Sequence, residues 1–162
     1  MDASRSTGAT LQELARQVRG DTIQILDAAQ PNWLTYVPPG TSNHILWHAG
    51  HALWLQDVLC IRLLAGRDEL PAGWTEKFGM NCRPPSHTAD WPSREEVREL
   101  LHGQLRRLLQ LLAATSDERL AETADRERGT GAISERIIHG LHDEAKHSGE
   151  MYLILKLCRT KV

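Results

Sequence analysis

The chain has 162 residues, 19 Lys plus Arg against 21 Asp plus Glu, a formal charge of −2 and 41% hydrophobic residues. That length suits one domain with a sizeable core. The charge balance excludes the basic field that nucleic-acid or anionic-membrane partners need. No apolar run approaches the roughly 20 residues that cross a bilayer, so no membrane partner is expected. MDASRSTGAT lacks a signal core, and Cys60, Cys82 and Cys158 show no CxxC spacing. A disulfide scaffold is therefore not expected, and a cytoplasmic location is.

Residues 1–9 are small and polar and read as frayed. Thr10-Leu11-Gln12-Glu13 reads as a capping box, and Leu11, Leu14, Ala15, Val18, Ile25 and Leu26 predict a first helix over about 11–29, ended by Pro31. After Pro38-Pro39-Gly40, Thr41 or Ser42 is expected to cap a second helix over about 42–65 that stops at Gly66. Residues 65–92 are rich in proline and glycine yet carry Trp74, Phe78, Met80 and Trp91, so they are expected to fold over one end of the domain.

Ser93-Arg94-Glu95-Glu96 is a second capping box. It opens a third helix whose stripe of Val97, Leu101, Leu105, Leu108 and Leu112 runs to about Ala114. Residues 116–132 are polar, with one short helical turn at most, and a fourth helix is expected from Ile133 to Cys158. No segment alternates as a strand. The expectation is an all-α four-helix bundle, one domain over 1–162, with a long connection between helices two and three.

Eight histidines are many for this length, and most fall in two clusters. His44, His48 and His51 share one stripe of the second helix with Leu55 and Val58, so they are expected to face inward. His44 and His51 lie roughly 10 Å apart along the axis and cannot share an ion, whereas His48 and His51 can. In the fourth helix, His142 and His147 are i,i+5 and diverge, but Asp143 and His147 are i,i+4 on one face. His139 continues that stripe about 12 Å from His147, as an outer neighbour. One histidine of the second helix plus Asp143 and His147 would make a three-donor site with an open position, the form of catalytic zinc sites and one that also suits Fe(II) or nickel. Against this stands the commoner role of a lone histidine on an apolar face, a satisfied core or boundary residue. His87 and His102 read as solvent-facing, Glu150 as the continuation of a polar edge, and Met151 and Tyr152 as core or pocket wall.

Trp47-His48-Ala49-Gly50-His51 and, far later, Asp143 to His147 followed by Gly149-Glu150, together with Phe78-Gly79-Met80 and Asp90-Trp91-Pro92-Ser93, resemble the motifs of the DinB/YfiT-like superfamily of metal-binding four-helix bundles. The resemblance spans nearly the whole chain. It implies His51, Asp143 and His147 as metal ligands and gives His48 no ligand role, which leaves His48, with His44 and His139 on the same stripes, behind the ligands or on the substrate side. Many members carry three histidines, and Asp143 departs from that pattern as the thiol-dependent isomerases of the superfamily do. It implies a divalent metal, zinc before nickel or iron, and a transferase or isomerase using a low-molecular-weight thiol and a small-molecule substrate. The alternatives are a metal-dependent hydrolase, or a non-catalytic stress-response or binding module with a structural metal. It also implies a homodimer, to which Trp33 or Trp74 would contribute if exposed. Nucleic acid is not an expected partner.

Overall fold

A computed structural model describes residues 6–80, 90–125 and 130–160. Helix α1 spans Thr7–Ala28, starting earlier than the Thr10 capping box suggested. Ser6 is the cap: its hydroxyl accepts from the Ala9 N–H at 3.2 Å, and the Asp117 carboxylate accepts from the N–H groups of Thr7 and Gly8. A helix start leaves four otherwise orphaned donors, and Ser6 and Asp117 supply acceptors for three of them. Residues 6–9 are therefore ordered by this cap, contrary to the expected fraying.

Helix α2 spans Ile45–Gln56, passes through a π turn at Asp57–Ile61 and ends with Arg62–Ala65. Gly66 closes it at φ 77°, a left-handed conformation that favours glycine. Its start also differs from expectation. Neither Thr41 nor Ser42 caps it; His44 does, its Nδ1 accepting from the Trp47 N–H at 3.0 Å. Helix α3, Trp74–Phe78, lies inside the long connection. Helix α4, Arg94–Ala114, begins at the Ser93 capping box as predicted, with both reciprocal bonds to Glu96 present. A short α5, Asp117–Ala121, leads into an antiparallel pair, β1 Thr123–Asp125 and β2 Thr130–Ala132, which alternation had not signalled because each strand has three residues. Helix α6 then runs Ile133–Arg159. It packs on α1 and α2, and α4 packs on α1, giving the expected all-α bundle. Among the described residues, no helix is long and apolar enough to cross a membrane.

The bundle interior is two apolar clusters separated by a polar layer. One cluster joins Leu26, Leu53, Leu101 and Met151 with Trp47, Trp74 and Phe78. The other joins Ala15, Cys60, Leu108 and Leu141. Between them, each long helix contributes polar groups. Arg19 of α1, fully buried, places Nε 2.9 Å and Nη2 3.0 Å from the buried Glu144 carboxylate of α6. Thr22 donates to the same carboxylate at 2.8 Å, and Gln56 of α2 also donates to it. Gln104 of α4 accepts from Arg19 at 2.9 Å and donates to the Leu53 carbonyl.

Removing one member of a buried ion pair strands the other charge, at a loss of about 3–5 kcal/mol. Urea unfolding should show Arg19→Met destabilised by about that amount, and Arg19→Met/Glu144→Leu destabilised by less than the two single variants summed.

Candidate metal centre

The three histidines of the α2 stripe do three different things. His44, 2% exposed, is the helix cap. Burial holds its pKa down at about 4. His48, 4% exposed, has its pKa pushed down to about 3 by burial, with His147, His51 and His44 adding to the effect. His51 is buried against two indoles, its ring 4.7 Å from that of Trp47 and 5.4 Å from that of Trp54, both stacked. Its Nδ1 lies 2.5 Å from the Phe78 carbonyl oxygen. A carbonyl can only accept, so Nδ1 carries the proton and Nε2 keeps its lone pair. Burial also lowers the His51 pKa.

On α6, Asp143, His147 and Glu150 fall at i, i+4 and i+7, within about 60° of helix face. Burial lowers the pKa of His147, so this cluster presents neutral imidazoles near pH 7. The Nδ1 atoms of His48 and His147 are 2.9 Å apart, and the Glu150 Oε2 lies 3.2 Å from the first and 3.3 Å from the second. Donors about 2.1 Å from one divalent ion, at angles between octahedral and tetrahedral, are separated by about 3.0–3.4 Å. His48, His147 and Glu150 therefore form a group able to hold a metal ion, with a donor set of two imidazoles and one carboxylate. Side by side, such lone pairs repel unless a proton or a cation lies among them, and a cation satisfies all three at once. Glu150 is 59% exposed, so the cluster opens to solvent along α6.

The sequence-predicted residues distribute around this triangle. His147 is in it. The His51 ring is 4.6 Å from that of His147. The Asp143 carboxylate is held by Lys146 at 2.9 Å and His139 at 3.2 Å. Burial pushes the Asp143 pKa up, but Lys146, His139 and His142 outweigh this and leave it below the ordinary carboxylate value. His48, expected behind the ligands or on the substrate side, supplies a converging donor atom, whereas His139 pairs with Asp143 and His44 is engaged as a cap. Glu150 is the third member of this group, and the sequence had placed it only on a polar edge. Its signal was the same i, i+4, i+7 register that marks the three histidines of α2.

Other expectations resolve simply. Trp33 and Trp74 are buried at 8% exposure, so neither offers the exposed surface that the expected dimer contact needs. Met151 is core and Tyr152 is exposed. His142 is exposed, and His102 is half-buried beside a cleft of about 1230 Å³ between α3 and α4. Cys60 and Cys158 are buried. His87 and Cys82 lie outside the described residues.

Comparison with known proteins agrees with this architecture. The DinB superfamily model matches residues 14–151, and the chain belongs to that superfamily. A conserved protein from Enterococcus faecalis has a similar solved structure, with a TM-score of 0.62 and 21% identity over 91% of this chain and 94% of that one, a likeness of fold. No curated protein matches the chain.

The buried neutral histidines set an acid limit on stability. Each takes up a proton near pH 6.5 when unfolded but, for His44, only near pH 4 when folded. The unfolded state thus binds more protons between those values, and stability falls as the pH drops through them. With metal chelated, unfolding free energy measured between pH 7 and 4 should fall, with His44 contributing about 2–3 kcal/mol. His44→Asn, which keeps a capping acceptor but does not titrate, should flatten the acid limb.

Proposed function

We propose that this member of the DinB superfamily binds one divalent transition-metal ion, zinc before nickel or iron, between α2 and α6, and that it serves as a metal-dependent transferase or isomerase for a low-molecular-weight thiol. The observation that carries the reading is the triangle of His48 Nδ1, His147 Nδ1 and Glu150 Oε2. Two donor sets share His147. One is the set that converges in the structure, His48, His147 and Glu150. The other is the set implied by resemblance, His51, Asp143 and His147. His51, with Nε2 free, and Asp143, one turn before His147, are the further donors beside the triangle.

Three protein donors leave coordination positions for a substrate, the mark of a catalytic rather than a structural site. When bound, such an ion supplies Lewis acidity that lowers the pKa of a thiol or of water. The chain's own groups do the rest. His48 and His147 are kept neutral and so ready to ligate, because burial opposes their protonation. The exposed side of Glu150 leaves room for a small molecule to enter. Cys60 is fully buried with its thiol pushed well up by burial, which makes it a poor nucleophile and favours a thiol arriving from solution. The expected homodimer and cytoplasmic location belong to the same proposal.

Elemental analysis of zinc-reconstituted protein should give one equivalent per chain for the wild type and none for His147→Ala, the donor that both sets share; His48→Ala should lose the metal if the converging set holds it, and His51→Ala if the other set does. Retained stoichiometric metal in His147→Ala would refute the site. Of Glu150→Gln and Asp143→Asn, the one that removes a donor should weaken zinc by more than the ~10–100-fold typical of an outer-shell loss. In a screen of thiols and electrophiles with zinc, nickel or iron, His147→Ala should lose the turnover that the wild type shows.

A further inference from the structure

Helix α3 meets α2 through a set of hydrogen bonds concentrated on the stripe that carries the histidines. Trp47 donates from Nε1 to the Lys77 carbonyl at 3.2 Å, His51 from Nδ1 to the Phe78 carbonyl at 2.5 Å, and Trp54 from Nε1 to the Thr75 hydroxyl at 3.2 Å. Trp74 returns one bond, from its Nε1 to the Gly50 carbonyl at 2.9 Å. The last carbonyls of a helix have no partner inside it and carry the negative end of the peptide dipoles. Here those of Lys77 and Phe78 are satisfied by ring N–H groups of Trp47 and His51.

The approach depends on a missing side chain. Phe78 is fully buried, and its ring lies directly over Gly50. A Cβ built at Gly50 would overlap three atoms of that ring, closer than real Cβ atoms come to any neighbour. Gly50 sits in mid-helix, where glycine is destabilising by about 0.5–1 kcal/mol relative to alanine, so the close packing offsets a local disadvantage. The residue beside it is His51. With Trp47 and Trp54 both stacked against it and a carbonyl at Nδ1, the His51 ring has both its plane and its tautomer fixed.

We infer that α3 is a built-in positioning element for the metal centre. The backbone carbonyl of Phe78, admitted by the absence of a side chain at Gly50, locks His51 as the Nδ1–H tautomer and so dedicates its Nε2 to the site. Phe78 and Gly50 are positioning residues, acting through His51. The tautomer assignment stands on the geometry alone, while its consequence for metal affinity rests on the proposed function. A ligand histidine whose other nitrogen donates to a carbonyl is oriented and made more basic, and loss of that partner typically lowers metal affinity 10–100-fold.

Long-range ¹H–¹⁵N NMR of the metal-free wild-type protein, assigned with His51→Gln, reads the tautomer directly. The expected result is a His51 ring protonated at Nδ1 with a slowly exchanging proton; protonation at Nε2 would overturn the inference without reference to any variant. In Gly50→Ala, folded by the criterion of a dispersed amide spectrum, the Nδ1 proton should exchange fast or be lost, and zinc affinity should drop 10–100-fold. A folded Gly50→Ala that keeps the Nδ1–H signal and wild-type affinity would overturn it too. If the wild type shows the Nδ1–H tautomer but takes up no zinc, the proposed function fails and the tautomer lock stands.

Discussion

The rotation of α6 about its own axis depends on one buried carboxylate. Glu144 is fully buried and receives Arg19 and Thr22 from α1 and Gln56 from α2. Its demand for partners admits one facing of α6. At about 100° per residue, Asp143, His147 and Glu150 then lie roughly 60–120° to one side of it, on the flank beside α2 rather than in the core or directly out to solvent. The same layer pins α2 through Gln56, one to two turns past His48 and His51. A buried ion pair is weak evidence for stability, since an apolar replacement of the same volume can do as well. As a device for fixing register between two helices that share a site, it has a clear physical use, and it explains why a polar layer interrupts the apolar core at mid-bundle.

The second constraint comes from the other side of α2. Between Gly66 and Asp90 the chain contributes α3, whose Trp74 and Phe78 join the core and whose terminal carbonyls close on the ring N–H groups of Trp47 and His51. The histidine cluster is therefore held from two directions, by a charge network behind α6 and by a backbone cap behind α2. Three histidines whose pKa values are lowered mainly by burial remain neutral at physiological pH, the state that metal ligation requires.

Much of the fold was legible in the sequence because helices announce themselves locally. The Ser93 capping box, the leucine stripe of α4 and the Gly66 stop of α2 are all found where short-range physics puts them. The failures also have local causes. Ser6 displaced Thr10 as the first cap because Asp117, distant in sequence, completes it. His44 replaced Thr41 and Ser42 as a cap because an imidazole nitrogen accepts as a hydroxyl does, an option that N-cap preferences rank low. A pair of three-residue strands is too short to show a period. At the site, spacing put Asp143 and His147 on one face, and the structure brings His147 but not Asp143 into the converging group with His48, while Glu150 was hidden by its ordinary place on an exposed edge. The partner of His51 was out of reach altogether, because a backbone carbonyl such as that of Phe78 has no signature in the sequence.

The central claim is that α2 and α6 form a metal centre through imidazole and carboxylate donors. A crystal of the zinc-reconstituted protein, with anomalous data collected on either side of the zinc edge, tests it most directly. The account predicts one strong anomalous peak per chain between α2 and α6, bound by His147 and by His48 or His51, with a carboxylate oxygen of Glu150 or Asp143 at about 2.0–2.2 Å. A peak bound elsewhere, or no ordered peak between α2 and α6, would contradict it.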